Sequence, residues 1–166
     1  MKGMLAIAVA AAWVPALVLA VHPVAVEKMA TTPKAGPVLM QGSEVKYQDA
    51  PELGPGAQVA VLRGNPGKTG SPYTVRLKVG DGFRIPAHWH PGEETLMVIQ
   101  GTFALGLGDK FDESKLKPMA QGAYAVLPPK MRHFAVAKGE TIVDAHGIGP
   151  FRTNWVNPAD DPARKK

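Results

Sequence analysis

The sequence predicts an all-β fold, a single small sandwich or barrel, from three observations. Seven short apolar or alternating runs are separated by turn residues, which is the spacing of strands in such folds. The chain carries 18 Gly and 16 Pro in 166 residues, and both are poor helix-interior residues. After residue 20 no stretch of ten or more residues carries an apolar stripe at helical spacing.

The strands are expected at Gln58–Leu62, Tyr73–Val79, Thr95–Gln100, Thr102–Leu107, Ala123–Leu127, Phe134–Ala137 and Thr141–Ala145. Asp109–Lys117, DKFDESKLK, is polar and reads as an exposed loop with at most a turn of helix. Gly147–Val156 has a strand-like middle, and Asn157–Asp161, NPADD, closes the chain as a terminal turn.

The first 20 residues, MKGMLAIAVAAAWVPALVLA, place one lysine before an apolar run from Leu5 to Leu19 that Pro15 interrupts. This is the layout of a secretory signal with Val18-Leu19-Ala20 as its cleavage site. A membrane anchor, the rival reading, needs about 20 uninterrupted apolar residues. The expectation is therefore a signal peptide at 1–20, an extended leader at 21–42, one domain at 43–156 and a tail at 157–166. Export would make the protein periplasmic or secreted, without a stable membrane anchor after cleavage. There is no cysteine, so no disulfide supports the fold. The net charge of +5 is scattered, without a basic stripe interleaved with aromatics, so no nucleic-acid partner is expected.

The chemistry concentrates in HWHPGEE, His88 to Glu94. On a strand His88 and His90 face the same way and Trp89 the other. Pro91-Gly92 turns the chain, so that a carboxylate opening the next strand can return beside both imidazoles. Two nitrogens and one oxygen suit a borderline transition metal. A polar surface loop explains the same residues. A fourth ligand would come from elsewhere, His133 first and His146 second.

The wider pattern resembles the cupin superfamily. Its first signature is met by Gly82, five residues, His88-Trp89-His90, three residues, Glu94, six residues and Gly101. The second is met in part by Gly122, Pro128 and His133, whereas Lys130 stands where the family has glycine and Ala137 where it often has asparagine. The lysine implies a turn that does not demand positive φ, or a strained one.

The resemblance implies a single-domain cupin β-barrel, a jelly-roll-like double-stranded β-helix, with His88, His90, Glu94 and His133 around one divalent transition metal. Iron or manganese leads, with zinc, nickel and copper behind. It leaves Glu93 a bystander. Same-face alternation would then add Arg84 and Pro86 beside His88, Leu96, Val98 and Gln100 beside Glu94, and Ala135 beside His133. Arg84 either engages an anionic substrate or forms a salt bridge at the rim. Gln100 and His146 complete the expected substrate-binding set. The implied function is an exported metal-binding protein acting on a small molecule, as a mononuclear metalloenzyme of dioxygenase or oxidoreductase type. The alternatives are a periplasmic metal-dependent binding or sensing protein without turnover and a cupin isomerase or decarboxylase. Tyr124 and Glu93 are poor general bases, and a homodimer through strand exchange by Ser43–Lys46 is a further implication of the resemblance.

Overall fold

A computed structural model describes residues 36–164. The signal peptide and most of the leader expected from the sequence lie outside the described residues, as do positions 165 and 166. Among the described residues no helix is long and apolar enough to cross a membrane.

Nine antiparallel strands form one curled sheet: β1 (Gln48–Asp49), β2 (Gln58–Gly64), β3 (Pro72–Val79), β4 (Arg84–Trp89), β5 (Glu94–Leu107), β6 (Lys117–Ala120), β7 (Tyr124–Leu127), β8 (His133–Ile148) and β9 (Asn154–Trp155). Two pairs of expected strands are each a single long one. Thr95–Gln100 and Thr102–Leu107 fuse in β5, and Phe134–Ala137 and Thr141–Ala145 fuse in β8. The polar loop after β5 contains a short 3-10 turn at Glu113–Lys115 and gives way to β6, which pairs with the second half of β5.

The long strands give the sheet two leaves. The first half of β5 lies between β7 and the second half of β8, which in turn pairs with β3. The second half of β5 pairs with β6 and with the first half of β8, whose other edge is β4. Both ends of β5 reach the same end of the molecule. Glu94 opens the strand and Leu107 closes it opposite His133, yet the Glu94 and His133 side chains meet. A straight strand of that length would separate them by roughly 40 Å.

The bend that returns the strand is at Gly101, where φ is +74° and the register with β8 slips twice, between Val98 and Gln100 and between Gln100 and Thr102. A Cβ there would lie 2.4 Å from the Glu140 carbonyl oxygen and 2.7 Å from Thr141 Oγ1. Only glycine meets both demands. Gly139 bends β8 at the matching point with the same φ.

Between the leaves two apolar clusters form the core. One gathers Val75, Ile85, Leu96, Val98, Phe103, Leu105 and Val143, and the other Ala50, Ala57, Val59, Val79 and Ala137. Gly101→Ala combines left-handed strain with a backbone clash and is expected to cost about 2–4 kcal/mol. Gly122→Ala, where φ is +84° but no atom lies within 4 Å of a new Cβ, should cost only about 1 kcal/mol. Urea denaturation of both variants measures the difference.

Candidate metal centre

Four side chains from three strands and one turn converge at the end of the barrel where the long strands finish. His88 closes β4 and His90 follows it; Glu94 begins β5; His133 begins β8 directly opposite His88 in register. All four are nearly inaccessible, at 6%, 5%, 5% and 3% exposure. Nitrogens of His88, His90 and His133 lie within 4.8 Å of one another. Glu94 Oε2 is 3.5 Å from His90 Nε2 and 3.3 Å from His133 Nε2. Glu93, its neighbour in sequence, is exposed.

Backbone carbonyls fix the orientation of each imidazole. Nδ1 of His88 donates to the Pro86 carbonyl at 2.7 Å, that of His90 to Arg152 at 2.8 Å, and that of His133 to Met131 at 2.9 Å. A carbonyl only accepts, so Nδ1 carries the proton and Nε2 keeps a lone pair in each neutral ring. Holding the second nitrogen this way is how ligating histidines are oriented in metal sites.

Charge points in the same direction. Burial, followed by the neighbouring His133 and His90, holds His88 well below the ordinary histidine value. Burial likewise lowers His90, against an opposing pull from Glu94. Burial pushes the Glu94 carboxyl up, and it is positive charge at the His90 and His133 positions that holds it below the usual carboxylate value, a charge that a bound cation would supply where the rings are neutral. Glu94 Oε2 is fully buried without a hydrogen-bond partner. An ionised oxygen facing imidazole lone pairs is an expensive arrangement without a cation. The donor set and this orphaned oxygen therefore fit a divalent metal ion.

The site opens on an apolar cavity of about 80 Å³ between the leaves. The chain after β8 makes one wall of it. Phe151 stacks on His90 with ring centroids 4.5 Å apart and touches Tyr73, while Trp155 packs 5.6 Å from His88. Thr153 lines the cavity and Val156 N donates to the Ala87 carbonyl. Sequence reasoning missed Phe151, Thr153 and Trp155 as site residues, although their alternation in PFRTNW was a usable signal for one shared face. Burial, then the Glu94 charge, raises the Tyr73 phenol above its ordinary value, so it stays protonated at neutral pH.

The three expected substrate-binding residues lie elsewhere. A register slip between Ile85 and His88 breaks the alternation of β4, so Ile85 faces the cavity while Arg84 and Pro86 do not line it. Arg84 is exposed, pairs with Glu113 and lies 4.7 Å from the Phe111 ring centroid. Gln100 falls in the slipped register around the Gly101 bend, points outward and donates to Glu140 at 3.1 Å. His146 bonds Thr74 Oγ1 at 3.1 Å, off the cavity. Leu96 and Ala135 do line the cavity, and Val98 belongs to the core cluster beside it.

Lys130 sits in the left-handed region at φ +64°, so the turn keeps the glycine-type conformation with a lysine in it. Its N–H donates to the His90 carbonyl at 2.8 Å, which ties the loop to the site.

Comparison with known proteins agrees with this geometry. The family profile described as "Cupin domain" matches residues 73–146. The chain belongs to the cupin superfamily. Among curated proteins it resembles the auxin-binding protein ABP19b of Prunus persica, 38% identical over 68 residues, which are 40% of this chain and 32% of that protein. It also resembles germin-like protein subfamily 3 member 3 of Arabidopsis thaliana, 38% identical over 67 residues, with the same two coverages of 40% and 32%. The chain spans about a third of the length of the curated relatives it matches. The polyketide cyclase RemF of Streptomyces resistomycificus superposes with a TM-score of 0.62 at 18% identity, over 75% of this chain and 88% of that one. An RmlC-like cupin from Shewanella frigidimarina gives 0.52 at 20% identity, over 69% and 93%. At these identities the structural likeness establishes the cupin fold.

Two predictions follow from the local chemistry. His88 and His90 are neutral in the folded chain and titrate near their ordinary value of 6.5 when unfolded. Below that value the unfolded state binds more protons, so metal-free stability should fall as pH drops from 7 toward 5. The slope per histidine approaches about 1.4 kcal/mol per pH unit. Any contribution from Glu94 is lost in a separate window, below the ordinary carboxylate value of 4.5. Urea midpoints across that pH range, with His88→Gln reducing the slope, test this. Lys130→Gly should raise stability by about 0.5 kcal/mol, the left-handed penalty relieved less the chain entropy of glycine, whereas Lys130→Val should lower it. Thermal melts at fixed pH decide the sign.

Proposed function

We propose that this cupin is an exported metal-binding protein that acts on a small molecule as a mononuclear metalloenzyme of dioxygenase or oxidoreductase type. The observation that carries the metal reading is the orphaned Glu94 Oε2, buried against Nε2 of His90 and His133, whose Nδ1 atoms are already committed to carbonyls. His88, His90 and His133 would hold the ion through Nε2 and Glu94 through its carboxylate. Iron or manganese is the first choice, then zinc, nickel or copper. When bound, such an ion polarises an oxygen-bearing ligand or exchanges electrons with oxygen.

The rest of the chemistry belongs to the chain. Three carbonyls hold the imidazoles in one tautomer. Phe151 and Trp155 pack on the rings and keep water from their faces. Thr153 lines the cavity and is, among the described residues, its one hydroxyl-bearing residue, able to hydrogen-bond a polar ligand there. Export is supported by the pattern of the first 20 residues, a charged start and an interrupted apolar run.

A second reading, capture or sensing of a small molecule without turnover, is favoured by one feature of the cavity. Among the described residues its lining offers no ionisable side chain beyond the four at the metal centre, so no separate general base is at hand.

Elemental analysis of full-length protein after incubation with iron, manganese or zinc tests the metal reading. About one equivalent is expected, and under about a tenth of an equivalent sinks it. His90→Ala and His133→Ala should lose most of the metal while His146→Ala retains it. Loading at 100 times the dissociation constant should stabilise the fold by about 2.7 kcal/mol, read as a rise in Tm. Steady-state turnover on diols, keto acids and oxalate then separates enzyme from sensor.

A further inference from the structure

The shape and charge of the cavity restrict what the metal centre can take. Its depth can be followed rung by rung along the sheet. Glu94, Gly147 and Tyr73 share the rung at the site. The next inward-facing rung is Leu96, Ala145 and Val75, and the next is Val98, Val143, Leu77 and Val59. Val59, Val75, Leu77, Leu96, Val143 and Ala145 all line the cavity. Two rungs are four residues, or roughly 13 Å of strand. The cavity therefore runs inward from the histidines with apolar walls, and its polar atoms gather at the metal end.

It is also narrow. Its volume of about 80 Å³ is about half the roughly 150 Å³ of an apolar cavity that takes benzene. A ring has about half the room that such a cavity gives benzene, whereas a short chain needs less.

Charge sets the head group. With the metal-site reading above, a divalent ion and the Glu94 carboxylate leave one net positive charge, because ligating imidazoles are neutral. Among the described residues no lysine or arginine lines the cavity. Arg84 and Arg132 are directed to Glu113 and Asp109. A single negative charge on the ligand brings the buried site to neutrality. A second one, carried into the apolar part, would have no partner.

We propose that the ligand of this site is a short unbranched aliphatic monoanion, a monocarboxylate or the equivalent enolate, with its oxygens at the histidines and its tail along the Leu96–Ala145–Val75 rung toward Leu77 and Val143. Dicarboxylates are excluded by charge and bulky rings by volume. This inference rests on the metal reading.

Calorimetric titration of zinc-loaded full-length protein with acetate, butyrate and succinate at pH 7.5 tests it, since zinc adds no redox chemistry. Each methylene buried along the walls adds about fourfold, so butyrate, with two more than acetate, should bind roughly fifteenfold tighter. Succinate, with the same four carbons and a second carboxylate, should bind weaker than butyrate by on the order of tenfold or more. Leu77→Ala lengthens the slot and should raise the hexanoate-to-butyrate affinity ratio. Val143→Ala, read by the same ratio, serves if Leu77→Ala does not fold. Zinc content is measured first: failure to bind zinc overturns the metal reading and this inference together. A full equivalent of zinc with succinate equal to butyrate, or acetate equal to butyrate, overturns the ligand class alone.

Discussion

Everything at the functional end of this barrel depends on one arrangement, three clustered imidazoles that donate from Nδ1 to backbone carbonyls, two of which, His90 and His133, turn Nε2 on a buried carboxylate oxygen. The interior thereby concentrates acceptors and supplies no proton between them. Such a cluster is tolerable only because its surroundings are rigid and burial disfavours charge on His88 and His90. Its rigidity comes from backbone, since each carbonyl belongs to a strand or loop that the fold fixes independently: Pro86 in β4, Met131 in the turn before β8, and Arg152 in the closing segment.

The carbonyl partners explain why the parts of the chain with least secondary structure are tied most closely to the site. The Pro128–Arg132 turn gives the Met131 carbonyl to His133, takes the His90 carbonyl through the Lys130 N–H, and accepts left-handed strain at Lys130. The Arg132 carbonyl receives Gly108 N on the opposite side. The Gly149–Val156 segment contributes only the two-residue β9, yet it supplies a ring stacked on His90 and the carbonyl that orients it. Loops held by a packed scaffold are where function concentrates.

The fold class was legible because glycine and proline punctuate the chain and the apolar runs between them are short. Two of the four convergent side chains were legible through spacing, because His88 and His90 share a face; spacing left Glu93 against Glu94 and His133 against His146 open, and the resemblance to the cupin signatures selected Glu94 and His133. The pocket lining was not, because it relied on unbroken alternation. One slip before His88 moved Arg84 outside, and the slips around Gly101 turned Gln100 to solvent. A bulge adds one residue without an apolar or polar signature of its own, so parity cannot be carried across it from composition. His146 sits on the strand that pairs with Glu94, one residue from inward-facing Ala145, and alternation sends it to the outer surface. The fusion of four expected strands into two was hidden for a related reason. Gly101 and Gly139 look like turns in sequence but serve as bends within continuous ladders.

Those bends make the long strands behave like a pair of tongs. Glu94 and the residues opposite His133 are the tips of one continuous strand, and Gly101 is its hinge. The spacing of the four donors and the curl of the sheet are then the same mechanical variable. A change at the far end of the barrel that opens the bend by a few degrees spreads the tips by ångströms, without touching a histidine.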